Sequence, residues 1–292
     1  MRIAVYGRPT QDNLSDHVKD FFTQLDTIKA EYIIYDSFCT FLKQIIDFDP
    51  KVKTFSSELA ANSVDYLVSL GGDGTLLETL PFVVHQGIPV MGINTGKLGF
   101  LSIVPKDNFL PALMAMKEKK FTIQNRSLLH LETGNSLFGK YNYALNELCV
   151  QRNDSSTMIT VRTYLNGEFF NSYWADGLIV ATPTGSTAYS LSCSGPILLP
   201  DEASFIITPI APHNLNVRPV VVPDNYTIKL KVEGRSPSYI VSLDSRIEVI
   251  DSNVELTIKK ESFGVKLIQL PEHSFTETLR KKLNWGKDAR NE

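Results

Sequence analysis

The sequence predicts an α/β domain with a parallel sheet over residues 1–122, then a β-rich domain over 123–272, and a segment 273–292 that packs back on the first domain. Three observations lead there. Before Phe121, short apolar runs alternate with stretches whose apolar residues recur every three or four positions. That rhythm of strand, helix and strand gives a parallel sheet covered on both faces. After Phe121, runs rich in β-branched and aromatic residues are separated by turn formers, the pattern of β structure. Between a strand at 66–70 and the helix that follows stands a loop with three glycines, Gly71-Gly72-Asp73-Gly74-Thr75.

The elements follow in order. Residues 2–7 read as a strand closed by Gly7, and Val18, Phe21, Phe22, Leu25 and Ile28 as one helix face behind the candidate cap Ser15. Residues 32–35 read as the second strand, with Phe38, Phe41, Leu42, Ile45 and Ile46 as the second helix. After the buried run 66–70, Leu76, Leu77, Leu80, Val83 and Val84 make a single helical stripe, and 89–93 return as a strand. In the second domain, 160–165 and 168–173 flank Asn166-Gly167, a two-residue hairpin signal. Further strands are expected at 226–232, 239–243, 247–250, 254–258 and 265–270, with Asp251-Ser252-Asn253 among the turns, then a basic helix at 275–285.

Composition narrows the function. A chain of 292 residues suggests about two domains. A net charge of −3 offers no electrostatic reason to bind nucleic acid or anionic membrane. No window approaches the roughly 18 unbroken apolar residues of a spanning helix, and the apolar start at 2–7 is too short for a signal segment. Cys39, Cys149 and Cys193 are odd in number and far apart, so reduced thiols are expected rather than a disulfide framework or a zinc site. The expectation is a cytoplasmic protein without nucleic-acid or membrane partners.

The glycine loop sits where α/β sheets place ligands, at the carboxyl end of a parallel strand. Its glycines permit positive φ and close backbone approach, and the helix it opens offers N–H groups suited to phosphate. A plain strand-to-helix turn fits the same residues. Two nucleotide motifs are near misses. Leu77 stands where the third glycine of Gly-x-Gly-x-x-Gly belongs, and Leu98 follows Gly96-Lys97 where a P-loop needs Ser or Thr. Asp73 is the odd member: a carboxylate beside phosphate-binding amides suits a proton acceptor for a hydroxyl being phosphorylated, or else a helix cap.

Four segments occur in this order: Gly71-Gly72-Asp73-Gly74-Thr75, Asn94-Thr95-Gly96-Lys97-Leu98-Gly99-Phe100-Leu101, Ala144-Leu145-Asn146-Glu147, and a run from Asp176-Gly177 through Thr182-Pro183-Thr184-Gly185-Ser186 to Thr187-Ala188-Tyr189-Ser190. Together they resemble the NAD kinase family over nearly the whole chain. The glycine loop alone is shared with diacylglycerol and sphingosine kinases, and a relative of it with phosphofructokinases. The resemblance implies an NAD kinase/diacylglycerol kinase-like fold and transfer of phosphoryl from ATP, with a divalent metal, Mg²⁺, to the adenosine-ribose 2′-hydroxyl of NAD. It makes Asp73 the proton acceptor and brings the Gly74 backbone to the ligand. It packs Phe100 on adenine, gives Asn146 and Glu147 the ribose and part of the adenosine, and sets Asp176 at the nicotinamide end. It places Thr187, Ala188, Tyr189, Ser190, Leu191 and Ser192 around adenine and ribose, and Arg246 at a contact position. No residue is assigned to metal. NAD is expected between the two domains, in a homodimer or homotetramer.

The chain departs from the family pattern in places. Leu243-Asp244-Ser245-Arg246 stands for Leu-Asp-Gly-Gln, Glu78 for an arginine in some members, and Asn214-Leu215-Asn216-Val217 for Ser-Leu-Ser-Phe. Cys193-Ser194 stands where small residues precede Gly195-Pro196, and His213 lies in a neighbouring loop. The alternatives are a lipid kinase of the diacylglycerol or sphingosine kinase kind, which would share the glycine loop but leave Asn146-Glu147 without a role, and a non-catalytic dinucleotide-binding protein.

Overall fold

A computed structural model describes residues 1–9, 15–45, 52–106, 108–153, 157–235, 237–251 and 254–286. Ile46, Ser252, Asn253 and the side chain of Ser15, all named above, lie outside what is described. The chain falls into two compact units, one of Met1–Asn125 with the chain from Val265 onward, the other of Arg126–Gly264.

In the first unit, strands β1 (Arg2–Gly7), β2 (Glu31–Tyr35), β3 (Lys53–Phe55), β4 (Tyr66–Leu70) and β5 (Val90–Asn94) pair in parallel in the order β3-β2-β1-β4-β5. The short β6 (Val104–Pro105) pairs parallel to β5. Helix α1 (Ser15–Thr27) buries Phe21 and Leu25 in a core with Ile3 and Val5 of β1 and with Leu113 of α5 (Phe109–Lys117). Helix α2 (Asp36–Leu42) contributes Phe38 and Leu42. The single helical stripe expected after the glycine loop is broken into α3 (Asp73–Leu77), α4 (Leu80–Val83) and a 3₁₀ turn, Val84–Gln86. Pro81 accounts for the break, because it has no N–H to bond back to the preceding turn and so restarts the helix.

The second unit is antiparallel. Its chain begins within β7 (Thr122–Glu132) and continues through β8 (Tyr143–Ala144), β9 (Glu147–Arg152), β10 (Ile159–Leu165), β11 (Glu168–Ala175), β12 (Gly177–Ala181), the four-residue α6 (Tyr189–Ser192), β13 (Ser204–Ile210), β14 (Val220–Pro223), β15 (Ile228–Gly234), β16 (Ser238–Leu243) and β17 (Arg246–Asp251). One sheet runs β14-β13-β12-β9-β16-β17, and β11-β10-β15 continue onto the start of β18 (Glu255–Gln269). Alternate residues of the two layers, such as Val150, Val180 and Val241 from one and Val161, Leu230 and Ile258 from the other, interleave in one core. The expected hairpin forms, with Leu165 opposite Glu168. Asn166 and Gly167 both have positive φ, 50° and 88°, as a type I′ turn requires.

The strands expected separately at 254–258 and 265–270 are one fifteen-residue strand. The polar stretch Lys259-Lys260-Glu261-Ser262 does not interrupt it, because its side chains ladder with neighbours, Lys259 to Glu132 at 2.8 Å and Glu261 to His130 at 2.6 Å. From Val265 this strand belongs to the first unit, pairing parallel to β5 with Leu267 opposite Val90. Helix α7 (Phe275–Leu283) follows, capped by Ser274 accepting from the Glu277 N–H and closed by Asn284 at φ 55°. No helix among the described residues is long and apolar enough to cross a membrane.

Candidate functional site

In the first unit the glycine loop leaves β4 at the carboxyl edge of the parallel sheet. Gly71 turns at φ 154°, and a Cβ there would stand 2.3 Å from Thr75 Oγ1. Among the described residues, nothing lies within 4 Å of the place a Cβ would occupy at Gly72 or Gly74, so packing against them does not require glycine. What they leave is bare backbone facing open space, the surface an anion needs to reach amide groups.

Asp73 does not cap its own helix; Gly72 holds the N-cap position and no side-chain cap bond forms. Its carboxylate reaches across to the loop after β5. Oδ2 accepts from the Phe100 N–H at 2.7 Å, and Oδ1 from Leu101 at 3.0 Å and Ser102 at 2.8 Å. Gly99 is required for this approach, since a Cβ there would lie 1.9 Å from Oδ1. The other end of that loop is held by Asn94, whose Oδ1 accepts from Gly96 N–H at 2.7 Å while its amide donates to the Lys97 and Ser102 carbonyls. Phe100, half-buried, lies 6.3 Å from the Phe275 ring, with the Lys282 ammonium 4.5 Å above its face. Beside the glycine loop is a cavity of about 330 Å³ lined by Gly71, Gly72, Thr75, Phe38, Arg8 and Lys106, among others.

In the second unit the same device recurs around Asn146 and Glu147. Asp244, at φ 52° in the tight turn between β16 and β17, accepts from the N–H groups of Leu145 (2.9 Å), Asn146 (2.7 Å) and Glu147 (3.2 Å). The Asn146 carbonyl takes the Thr182 N–H at 2.9 Å, and Gly185 comes so close that a Cβ would stand 2.1 Å from that oxygen. Glu147 is buried, and its Oε2 has no partner among the described residues. Burial, then the charge of Asp244, pushes the Glu147 carboxyl up to about 8, against a bond from the Tyr189 N–H. Burial raises Asp244 too, but three backbone N–H groups and Arg246 favour its ionised form. In the neutral form that burial favours, Glu147 can donate an O–H to a ligand as well as accept.

Asp176 pairs with Arg152 at 3.2 Å. Tyr189, exposed, has its hydroxyl accepting from Gln151 at 3.0 Å. Thr187 bonds back to the Thr184 carbonyl at 3.2 Å, Ala188 and Leu191 are half-buried, and Ser192 is exposed. Ser190 is fully buried, its Oγ 2.9 Å from Thr208 Oγ1. Arg246 directs its guanidinium to the carbonyls of Tyr141 and Tyr143, and His213 packs on Trp174 with ring centroids 4.6 Å apart and the planes tilted by 51°.

Residues 10–121 match the ATP-NAD kinase N-terminal domain, and residues 145–270 match the ATP-NAD kinase C-terminal domain. The NAD kinase of Flavobacterium johnsoniae is 48% identical over 296 residues, and that of Cytophaga hutchinsonii 45% identical over 292, each comparison covering 100% of both chains. The chain belongs to the ATP-NAD kinase family. Solved structures agree in fold. The yeast NADH kinase complexed with NADH has a TM-score of 0.87 at 25% identity, covering 99% of this chain and 89% of that one. An NAD kinase from Archaeoglobus fulgidus in complex with ATP has a TM-score of 0.75 at 28% identity, covering 97% and 99%. Nothing in these comparisons favours the lipid-kinase alternative.

Within the ATP-NAD kinase framework, several residues of consequence escape the sequence. Asp244 stands in a segment that reads as a departure from the family pattern, yet it organises the Asn146-Glu147 backbone through three bonds from residues nearly a hundred positions upstream. Arg152 and Gln151 lie on β9, far along the chain from Asp176 and Tyr189, which they touch. Glu78 pairs with Arg8 through Nε at 2.5 Å and through Nη2, and accepts from the Tyr6 hydroxyl at 3.0 Å.

Proposed function

We propose that this chain is an NAD kinase, transferring the γ-phosphoryl group of ATP to the 2′-hydroxyl of the adenosine ribose of NAD. What supports the reading most is the way Asp73 is held. A carboxylate oxygen has two lone pairs, and the bonds from Phe100, Leu101 and Ser102 leave one on Oδ2. That lone pair takes the 2′-hydroxyl proton as the new O–P bond forms and the bond from the γ-phosphorus to the ADP oxygen breaks. Fixing the carboxylate beforehand means no reorganisation is needed during transfer.

The remaining roles follow the chemistry of each group. The bare backbone at Gly74 approaches the ligand, and Phe100 presents a ring for adenine. Asn146 and Glu147 bind the ribose diol, Glu147 donating as a neutral acid. Asp176 meets the nicotinamide end, the segment Thr187 to Ser192 surrounds adenine and ribose, and Arg246 lines their edge. Among the described residues no three His, Cys, Asp or Glu side chains gather into a metal site. Magnesium would arrive with the donor as MgATP, held mainly by phosphate oxygens and water, and would supply charge neutralisation at the transferring group. The 1–122, 123–272 and 273–292 division, a cytoplasmic location and a homodimeric or homotetrameric state complete the proposal. The purified protein with ATP, Mg²⁺ and NAD should yield NADP, read through an NADP-specific dehydrogenase. No NADP, with tight NAD binding retained, would leave a non-catalytic dinucleotide-binding protein.

A further inference from the structure

The cavity beside the glycine loop has an uneven lining. Arg8, Lys106 and His17 line it, and among the described residues no Asp or Glu does. The Gly71-Gly72 segment and Thr75 also line it, together with the apolar Phe38 and Phe41. A cavity with cationic margins, bare glycine backbone and aromatic walls has the chemistry to take a polyphosphate attached to a ring system.

Arg8 has its orientation fixed by an ion pair. It follows β1 directly, at the carboxyl edge of the sheet where the glycine loop also emerges. Its Nε and Nη2 grip the two oxygens of Glu78, one turn beyond the glycine loop. The Tyr6 hydroxyl donates to the same carboxylate at 3.0 Å, so Glu78 is held from two sides. This side-on fork leaves Nη1 without a hydrogen bond among the described residues, while the residue borders the cavity.

We propose that Arg8 contacts the phosphates of the nucleoside triphosphate donor through Nη1, and that Glu78 is the positioning residue that aims it; this rests on the kinase reading above. The guanidinium suits the task because it offers separate edges, one for Glu78 and one for phosphate, which a lysine ammonium cannot do at once.

Steady-state kinetics on the full enzyme test it. Arg8→Met should raise KM for ATP about tenfold or more, the worth of a charge-assisted contact, while KM for NAD moves less than twofold. Arg8→Lys should fall between. Glu78→Ala should raise KM for ATP in the wild-type background, where it frees Arg8. In the Arg8→Met background it should lower KM for ATP, where it only removes a negative charge near phosphate. That reversal of sign is something a purely structural link between the β1 loop and α3 would not produce. Unchanged KM for ATP in Arg8→Met, an equal rise in KM for NAD, or the same sign for Glu78→Ala in both backgrounds would overturn the proposal. If the wild-type protein itself makes no NADP, the kinase reading fails instead. Calorimetric titration with MgATP then decides Arg8 separately, since its binding should weaken in Arg8→Met regardless of turnover and unchanged binding would sink the contact.

Discussion

Asp73 and Asp244 invite comparison because the two units use the same device for different ends. Each carboxylate accepts three consecutive backbone N–H groups, those of Phe100, Leu101 and Ser102 for Asp73 and those of Leu145, Asn146 and Glu147 for Asp244. Each loop also needs a glycine where a Cβ would collide, Gly99 against Asp73 itself and Gly185 against the Asn146 carbonyl. The surroundings differ. Asp73 is half-buried between two glycines that face open space. Asp244 is desolvated and beside a second carboxyl, Glu147, so its bonds serve to shape the backbone and its charge favours the neutral form of its neighbour. The bonds alone do not make a catalytic group; what remains accessible after they form does.

The largest effect should come from separating these two roles. Asp73→Asn is expected to lower kcat about 10²-fold or more, the usual worth of a general base. An asparagine can keep the Oδ1 bonds but turns an amide toward the Phe100 N–H, a fold cost of about 1–3 kcal/mol. Asp244→Asn suffers the same mismatch, yet should act mainly on KM for NAD, by about tenfold, with kcat at saturating NAD much less reduced. Kinetics and urea denaturation of both variants decide. An equal fall in kcat would mean that loop geometry sets the rate and that Asp73 is not the base.

Glu147→Gln probes the second unit through pH. The Glu147 carboxyl is pushed up to about 8 from its ordinary value near 4.5, so the folded state holds a proton that the unfolded chain releases between those values. Its contribution to stability is full below about pH 4.5, declines through the interval, and is lost as pH rises through 8. A tenfold difference in proton affinity between the folded and unfolded chain is worth about 1.4 kcal/mol. Coupling to Asp244 limits the sum, so the loss is on the order of 3 kcal/mol. Glutamine is neutral throughout. The variant should therefore gain stability relative to the wild type between pH 5 and pH 9, read as the difference in unfolding free energy. Parallel profiles would place the proton elsewhere.

Much of this molecule is legible in its sequence, and the limits are instructive. The parallel strands and the Asn166-Gly167 hairpin follow from local patterns, and the sequence segments containing Asp73, Phe100, Asn146 and Glu147 point to nucleotide chemistry. The break at Pro81 is lost because the apolar stripe continues past it on the same face. The continuous β18 is hidden by charged residues whose partners, Glu132 and His130, lie more than a hundred residues away. Asp244 is missed for the same reason: its three partners are nearly a hundred positions upstream. Long-range satisfaction of polar groups is what a single sequence encodes least visibly, and both carboxylates depend on it.

The smallest expected effect distinguishes two kinds of glycine. Gly99 and Gly185 are demanded by the fold, since a Cβ at either would sit inside another atom's radius, 1.9 Å from Asp73 Oδ1 and 2.1 Å from the Asn146 carbonyl oxygen. Alanine at either site should cost about 1–3 kcal/mol, the range for overpacking, visible as a lower melting temperature. Gly74 meets nothing within 4 Å, and it lies inside α3, where alanine is favoured by about 1 kcal/mol over glycine. Gly74→Ala should therefore leave stability unchanged or slightly raised. If the open backbone there is kept for the ligand, the same substitution should weaken substrate binding, raising KM for NAD or ATP several-fold. A methyl group that changes neither stability nor kinetics would show that Gly74 is a turn residue with no part in the site. A methyl that destabilises the fold as much as Gly99→Ala does would erase the distinction between the two glycines.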